Sequence, residues 1–335
     1  MLGPGLVIDD EQAVEGPAGP IPRRLDRSIR RTTTMDMLWP EGPGGPLQLM
    51  GRARDAFTRD ANQPPRIVRH AEMNATLRER VIETITTVPD SPGIPKLVGQ
   101  RGGGHLRSAL AELVPEVRTS GSPLYLLLDD ISGTSLIAGV AWIRQPGAIK
   151  RAERRGRGPS PSMEGVCIGF APGSSALHEV KDFSGPPRVR PVGHLMNPAD
   201  PYGWHDLPDL PQVSTRRARF IDVRLDGNMA VIESGFQDSA GDPDHGRVGI
   251  HEYRIHATAD LTSGRLETLD ATPHILPFRE CPSAVAAART LAGSPINALR
   301  DVVLERLART DGCTHLNDAL RALAEVPVLI RELKA

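Results

Sequence analysis

The feature of this chain that most constrains its fold is a pattern that occurs twice. Residues 30–37 (RRTTTMDM) are echoed by residues 216–223 (RRARFIDV). Residues 81–89 (VIETITTVP) are echoed by residues 265–273 (RLETLDATP), and the two matches occur in the same order along the chain. Self-similarity of this kind indicates an internal repeat in which each copy forms the same structural unit. The sequence therefore predicts a tandem duplication.

Each copy has the pattern of antiparallel strands followed by helices. Alternating apolar and polar residues, bounded by turn residues, predict four strands in each copy. The step Asp226-Gly227-Asn228 predicts a tight hairpin between the first two strands of the second copy. Apolar residues at helical spacing follow the strands. The predicted strands are 32–38, 48–55, 67–77, 81–88, 220–223, 229–237, 249–259 and 264–271, and the predicted helices are 105–113, 123–128, 282–292, 296–308 and 314–333. The predicted fold class is therefore α+β, a duplicated unit of antiparallel β-sheet followed by packed helices.

The duplication divides the chain into four parts. Residues 1–27, with repeated Gly-Pro steps, predict a flexible N-terminal tail. Residues 28–135 form the first α+β copy, which has no cysteine, and residues 214–335 form the second. Residues 136–213 form a connector rich in Arg, Gly and Pro. Its basic run at 150–157 could bind an anionic partner, but it has no aromatic residues for base stacking and is typical of a solvated linker.

Composition limits the classes of function. The chain has 40 Lys and Arg against 41 Asp and Glu, so no global charge attracts nucleic acid or an anionic membrane. We identify no signal peptide, and no apolar run that approaches the length of a membrane-spanning helix. Three cysteines argue against a secreted disulfide framework. We therefore expect a cytoplasmic protein with a small-molecule substrate and with neither nucleic acid nor membrane as partner; the oligomeric state stays open.

The side chains suited to metal binding lie in the second copy. Cys281 precedes Pro282, a residue favoured at the first helical position, and Cys313 precedes Thr314, a favoured N-cap. Both thiols are thus expected at helix starts, where the helix dipole favours the thiolate. His315 lies two residues from Cys313. Two thiols and an imidazole suit zinc or iron, so we predict Cys281, Cys313 and His315 as metal ligands.

Asp238 and His251 are the predicted catalytic residues beside that metal. Asp238, with Asp242 and His245, is expected in a loop between two strands, where it could supply a fourth ligand or a base. His251 lies on the following strand. His256 comes five residues later and is expected on the opposite face, because side chains alternate along a strand.

Arg31, Arg217 and Cys281 also have structural interpretations. Arg31 and Arg217 are each followed five residues later by an aspartate, which favours internal ion pairs over anion binding. Cys281 taken alone is also typical of a core or cap residue, since free cysteine is commonly buried. Cys167 stands alone in the connector and has no predicted role.

The second copy resembles the iron–sulfur scaffold fold of the NifU and SufE type. That fold has three antiparallel strands and then helices, with a cysteine at the start of the first long helix and a His/Cys pair at the start of the last. Residues 264–271 match the third strand, Cys281 matches the helix-start cysteine and residues 312–316 (GCTHL) match the His/Cys pair, in reversed order. The loop with Asp238 matches the place of a further ligand cysteine but contains none. A cluster held by three thiols is therefore not implied.

Most of the chain also resembles a bacterial family known as domain of unknown function 2889. The segments that carry this resemblance are 30–55, 97–130, 222–258 and 280–323, and residues 312–316 are the most specific. The resemblance implies a fold and a family, but no settled activity.

Three functional hypotheses follow. The first is an enzyme that uses a zinc or iron ion to act on a small organic acid, ester or thioester. A metal-free form of it would use Cys281 or Cys313 as nucleophile and His315 as base. The second is a non-catalytic carrier of metal or sulfur. The third is a purely structural role for buried cysteines.

Overall fold

The computed structural model describes residues 14, 16–146, 163–179 and 188–335 of the chain. Within these ranges the fold is mixed α/β, with one large antiparallel sheet and helices packed against it. The strands are β1 (Ser28–Leu38), β2 (Leu47–Thr58), β3 (Arg66–Arg78), β4 (Val81–Val88), β5 (Arg190–Pro191), β6 (Ser214–Asp226), β7 (Met229–Asp242), β8 (Gly246–Asp260) and β9 (Arg265–Ile275). All eight strands predicted from the sequence are present, most of them longer than predicted.

The helices follow each group of strands, as predicted. They are α1 (Leu106–Leu113), α2 (Pro115–Thr119), α3 (Leu124–Ile137), α4 (Val140–Ile143), α5 (Ser175–Glu179), α6 (Ala284–Arg289), α7 (Leu299–Arg306), α8 (Thr314–Ala322) and α9 (Val326–Lys334). Short 3-10 turns precede or link several of them, among them Ile168–Phe170, Cys281–Ser283, Ile296–Ala298 and Leu323–Glu325. The predicted helix 314–333 is divided into α8 and α9 by one of these turns.

Strands from both predicted copies belong to a single sheet. Its order is β4-β3-β2-β1-β6-β7-β8, and both β5 and β9 pair with β8. We call β1–β4 the first meander and β6–β9 the second; they meet where β1 pairs antiparallel with β6. Two ion pairs cross this junction, Arg30 with Asp222 at 2.5 Å and Arg216 with Asp36 at 2.6 Å. In each of them the two residues lie directly opposite one another in the β1–β6 register.

The helices bury apolar residues from both meanders. Side chains such as Leu49 and Met73 pack with Leu128 of α3, and side chains such as Ile232 and Ile255 form a second cluster with the helices that follow β9. Burial of this kind contributes about 25 cal/mol per Å² of apolar surface. The helices are thereby fixed against the sheet, which places α8 above β7.

The stretch Leu124–Ile143, which spans α3 and α4, corrects one sequence expectation. It is 20 residues long with a mean hydropathy of 1.4, so by length and composition it could cross a membrane. Asp129 and Asp130 interrupt the run, so the sequence shows no continuous apolar stretch of that length. Within the fold, 67 % of its apolar 18-residue segment is buried, and Leu127 and Leu128 are fully buried in the core. The core helix of a globular domain has the same properties, so this stretch is weak evidence for a membrane span.

The described part of the predicted tail lies against the sheet. Ile21 is buried with Trp204, and the buried Arg24 pairs with Asp200 at 2.8 Å. Residues 1–13 and 15 of the predicted tail, and the basic run at 150–157, lie outside the described residues.

His205 is buried on the sheet face opposite to α8. Its two ring nitrogens lie 2.8 Å from Thr32 Oγ1 and 2.7 Å from Thr34 Oγ1. Burial, together with the nearby cations Arg54 and Arg216, lowers the pKa of His205 to about 3. The folded protein therefore holds this imidazole neutral where the unfolded chain would take up a proton.

We expect this histidine to make the fold acid-sensitive. Because the folded-state pKa of His205 lies below the unfolded value of about 6.5, stability is lost as the pH falls between them. Between about pH 6.5 and pH 4.5, the unfolding free energy of a His205→Gln variant should fall by about 2 to 3 kcal/mol less than that of wild type. Urea unfolding at several pH values measures this. If the unfolding free energies of the two proteins fall in parallel as the pH is lowered, His205 is not the cause of the acid sensitivity.

Candidate functional site

The candidate site is built on three adjacent strands of the second meander. In the register of β6, β7 and β8, Arg217 lies opposite Asp238, and Asp238 lies opposite His251. Next to this pair the register shifts, because Ile250 of β8 is an extra residue between the partners of Asp238 and Ser239. His315, in the first turn of α8, stacks on His251 with ring centroids 3.5 Å apart and planes inclined by 15°. Three strands and one helix therefore converge on the Asp238 carboxylate.

The Asp238 carboxylate faces the guanidinium of Arg217 and both imidazoles. Arg217 Nε donates to Asp238 Oδ1 at 2.8 Å, and Arg217 Nη2 donates to Oδ2 at 3.1 Å. The same Oδ2 lies 3.3 Å from His251 Nδ1 and 3.7 Å from His315 Nε2. Arg217 thus fixes the carboxylate in the plane that presents one oxygen to the two rings.

Burial and charge set the protonation of this group. The side chains of Asp238, His251 and His315 are 0 %, 8 % and 12 % exposed. Burial alone would raise the pKa of Asp238, but Arg217 and His251 outweigh it and hold that pKa well below its usual range. Burial, with His251 and Arg217 nearby, lowers the pKa of His315 to about 3. Near neutral pH the site therefore offers a carboxylate beside an uncharged imidazole.

This group fits a metal ion. Asp238, His251 and His315 each offer a ligand atom, and these atoms lie within 4.8 Å of one another. Among the described residues, the buried Nδ1 of His251 has no hydrogen-bond partner of ordinary geometry, although it faces a carboxylate oxygen 3.3 Å away. Two imidazoles and one carboxylate are the protein ligands of several catalytic zinc and non-haem iron sites, which keep other positions open. The donor set is compatible with either metal.

Asp238 is one end of a continuous network of buried ion pairs. Arg217 also donates to Asp318 at 2.8 Å and to Asp130 at 3.3 Å. Alternating arginines and carboxylates continue from there to Arg31 on β1. The network contains Arg31, Arg107, Arg217, Arg219, Arg300 and Arg321 together with Asp55, Asp129, Asp130, Asp238, Asp318 and Glu325. Formal charges balance within it, which limits the energetic penalty of burying so many ions.

The structure brings together three of the five predicted site residues. Asp238 and His251, predicted as catalytic, join His315, predicted as a metal ligand. Cys281 and Cys313 occur at helix starts as predicted. Cys281 opens the turn Cys281–Ser283, and Cys313, rather than the predicted Thr314, is the N-cap of α8. Neither thiol belongs to the group formed by the carboxylate and the two imidazoles.

The other predicted candidates lie outside this group. Asp242 accepts hydrogen bonds from Arg144 and faces the ring of His245 at 3.0 Å. His256 is on the opposite face of β8 from His251, with 64 % of its side chain exposed, as the alternation of side chains predicts. Asp238 itself lies within β7 rather than in a loop.

Sequence reasoning missed the ion-pair partners of two arginines. Arg31 and Arg217 do form internal ion pairs, but with Asp55 and Asp238 on the neighbouring strands rather than with the aspartates five residues later. The hairpin turn at 227–228 contained the information needed to predict the second pair, because a two-residue turn after Asp226 places Arg217 opposite Asp238.

Comparison with known proteins adds a family match for the part of the chain that contains the site. Residues 215–329 match the model of a family described as "Protein of unknown function (DUF2889)". This DUF2889 segment begins in β6 and ends in α9, and it includes Asp238, His251 and His315. No curated protein and no solved structure matches the chain. The match thus links the site to a family without assigning it an activity.

Proposed function

We propose that this protein is a metal-dependent enzyme in which Asp238, His251 and His315 hold one zinc or iron ion. The observation that carries the proposal is that His251 Nδ1 and His315 Nε2 face the same buried oxygen of Asp238, at 3.3 Å and 3.7 Å. A bound divalent ion would satisfy all three donor atoms at once. The substrate is a small organic acid, ester or thioester, and the protein works in the cytoplasm.

The residues around the donor atoms have defined tasks in this proposal. A divalent ion held there would polarise a substrate oxygen or lower the pKa of a bound water. Arg217 keeps the Asp238 carboxylate oriented through two hydrogen bonds. His315, the most exposed of the three side chains, marks the side from which substrate enters. If no metal binds, Asp238 would instead orient His251 as a general base.

We further propose that the two meanders descend from a duplication. Two features support this: β1–β4 and β6–β9 follow the same antiparallel order, and the cross-strand pair formed by Arg31 and Asp55 occupies the same place as that formed by Arg217 and Asp238.

The same comparison explains why only the second meander would hold a metal. Asp55 lies opposite Arg69 in the β2–β3 register, where Asp238 lies opposite His251 in the second meander. Arg69 donates to Glu332 at 2.6 Å and has no lone pair to offer a cation.

Metal content tests the proposal directly. Protein purified without chelator should contain zinc or iron, and a His251→Ala variant should lose about one equivalent relative to wild type. His256→Ala is the matched control, because His256 lies on the same strand but is largely exposed on the other face, and it should retain the metal. Element analysis by mass spectrometry gives the stoichiometry. Equal metal content in wild type and His251→Ala would rule out this ligand set.

A carrier with a fold like that of NifU and SufE is the second candidate function, and the two free thiols Cys281 and Cys313 at helix starts favour it. A carrier should transfer its metal readily to a competing chelator. An enzyme should retain the metal and keep a coordination position open for substrate.

A further inference from the structure

We propose that Asp318 is a positioning residue of the proposed metal site, and that it acts on the ligand Asp238 through the guanidinium of Arg217. The inference rests on the proposed metal-binding function and adds to it a residue that is not itself one of the three donors. Asp318 lies on α8, the helix that also carries His315. One helix would thereby control two of the three ligands, one directly and one through an arginine.

The guanidinium of Arg217 uses different nitrogens for the two carboxylates. Nε and Nη2 donate to Oδ1 and Oδ2 of Asp238 at 2.8 Å and 3.1 Å. Nη1 donates to Oδ2 of Asp318 at 2.8 Å. Because the guanidinium is planar and rigid, these bonds hold it from two sides and fix the Asp238 carboxylate with it. A movement of Asp318 is therefore transmitted to the oxygen that His251 and His315 face.

The spacing of His315 and Asp318 places both side chains on one face of α8. Residues three apart are neighbours on the surface of an α-helix. The imidazole accordingly reaches Asp238 on β7, and the carboxylate reaches Arg217 on β6. Arg321, three residues further along α8, donates to Asp318 at 2.9 Å and holds that carboxylate in place. The helix thus sets the position of one ligand relative to the arginine that orients another.

Burial keeps these contacts in one arrangement. The side chains of Arg217 and Asp318 are 1 % and 7 % exposed, so water does not readily replace either partner. Asp130 also lies 3.3 Å from Nη1, but its two oxygens accept shorter hydrogen bonds from Arg219, at 2.8 Å and 3.0 Å. Loss of the Asp318 charge should therefore let the guanidinium shift toward Asp130 and turn the Asp238 carboxylate away from the two imidazoles.

Gly133 of α3 leaves the space in which Arg217 and Asp318 meet. A Cβ built on Gly133 would lie 2.7 Å from Asp318 Oδ2 and 3.1 Å from Arg217 Cζ, so a larger residue would push the two groups apart. Glycine inside a helix costs about 1 kcal/mol relative to alanine. The close approach of these two groups accounts for a glycine at this position.

The first meander contains the same arrangement of an arginine between two carboxylates. Arg31 donates through Nε and Nη2 to Asp55, and through Nη1 to Glu325 at 2.8 Å. Arg69 lies opposite Asp55 where the second meander has His251. A unit of similar burial thus exists where an arginine replaces the histidine ligand. Its carboxylates should contribute to stability without contributing to metal binding.

Titration of the full-length protein with Co²⁺ tests the proposal, because Co²⁺ substitutes for zinc and its visible absorption reports the coordination geometry. In Asp318→Asn the affinity for Co²⁺ should fall by about 10- to 100-fold, as is typical when a residue that orients a metal ligand is removed, and the visible spectrum should change. Glu325→Gln removes the corresponding buried carboxylate of the first meander, so it should leave affinity and spectrum as in wild type. Urea unfolding of both variants shows that the comparison is made on folded protein.

Gly133→Ala keeps every charge and guards against misfolding of Asp318→Asn. Its methyl group would separate Arg217 from Asp318, so the affinity for Co²⁺ should fall by about tenfold. Gly139→Ala is the control, because a Cβ at Gly139 would lie within 4 Å of no described residue, and it should bind Co²⁺ as wild type does. Weaker binding in Asp318→Asn but not in Gly133→Ala would reduce Asp318 to a distant negative charge and overturn its positioning role.

The remaining outcomes separate this proposal from the proposed function. Unchanged affinity and spectrum in Asp318→Asn would overturn the positioning role alone. An equal loss of affinity in Glu325→Gln would also overturn it, since weakened folding would then explain both variants. Absence of Co²⁺ binding by folded wild-type protein would refute the proposed function, and the role of Asp318 with it.

Discussion

An Arg217→Met variant is expected to lose about 3 to 5 kcal/mol of unfolding free energy. Arg217 is 1 % exposed and bridges Asp130, Asp238 and Asp318, none of which is more than 7 % exposed. Methionine keeps much of the side-chain volume but leaves these carboxylates with unbalanced charge in the interior. Urea unfolding monitored by circular dichroism measures the loss.

Arg224→Met on the same strand is the matched control for Arg217→Met. Arg224 and its partner Asp226 are 41 % and 73 % exposed and 4.0 Å apart, so removing that pair should change stability by less than about 1 kcal/mol. The Arg217 variant should also recover part of its loss in mild acid, as the unpaired carboxylates become protonated. Equal stabilities of the two variants would show that the network is not energetically coupled.

Gly133→Ala is expected to destabilise the protein by about 1 to 3 kcal/mol, against the usual direction for this substitution in a helix. Gly133 lies within α3, where alanine normally stabilises by about 1 kcal/mol. A Cβ at this position would lie 2.7 Å from Asp318 Oδ2 and closer still to Arg217 Nη1. The methyl group would therefore separate Arg217 from the helix and strain the network that holds Asp238.

Gly139→Ala provides the comparison for Gly133→Ala. Gly139 has a right-handed helical backbone, and a Cβ there would lie within 4 Å of no residue that the structure describes. Its replacement should change the unfolding free energy by about 0.5 kcal/mol or less. Both variants can be measured in one series of thermal or urea melts. A stabilised Gly133→Ala protein would show that the buried ion pairs of Arg217 tolerate movement of its guanidinium away from α3.

Local patterns in the sequence were sufficient to predict the strands and most of the helices. Alternation and turn residues located β1–β4 and β6–β9, and the Asp-Gly-Asn step located the hairpin between β6 and β7. That turn also contained the register that places Arg217 opposite Asp238. The pairing of β1 with β6 was not predictable, because it joins strands far apart in the chain and no local rule specifies it.

The sequence predicted which residues are candidates for the site more completely than it predicted which of them lie together. Cys313 and His315 are two residues apart at a helix start, and residues at that spacing point in different directions. The structure accordingly places His315 with Asp238 and His251, while Cys313 faces Tyr253. Ile168 N–H of the connector donates to the carbonyl of Gly312 just before α8, a contact that has no signature in the sequence.

The pairing of β1 with β6 has a consequence for how the DUF2889 segment can be handled in isolation. A truncated polypeptide that began at residue 215 would present β6 as an open sheet edge and remove Arg30 and Asp36, the partners of Asp222 and Arg216. Unprotected edges of that length recruit other chains and promote aggregation. Expression boundaries chosen from the family match alone would therefore yield a self-associating fragment, and biochemical work requires both meanders on one polypeptide.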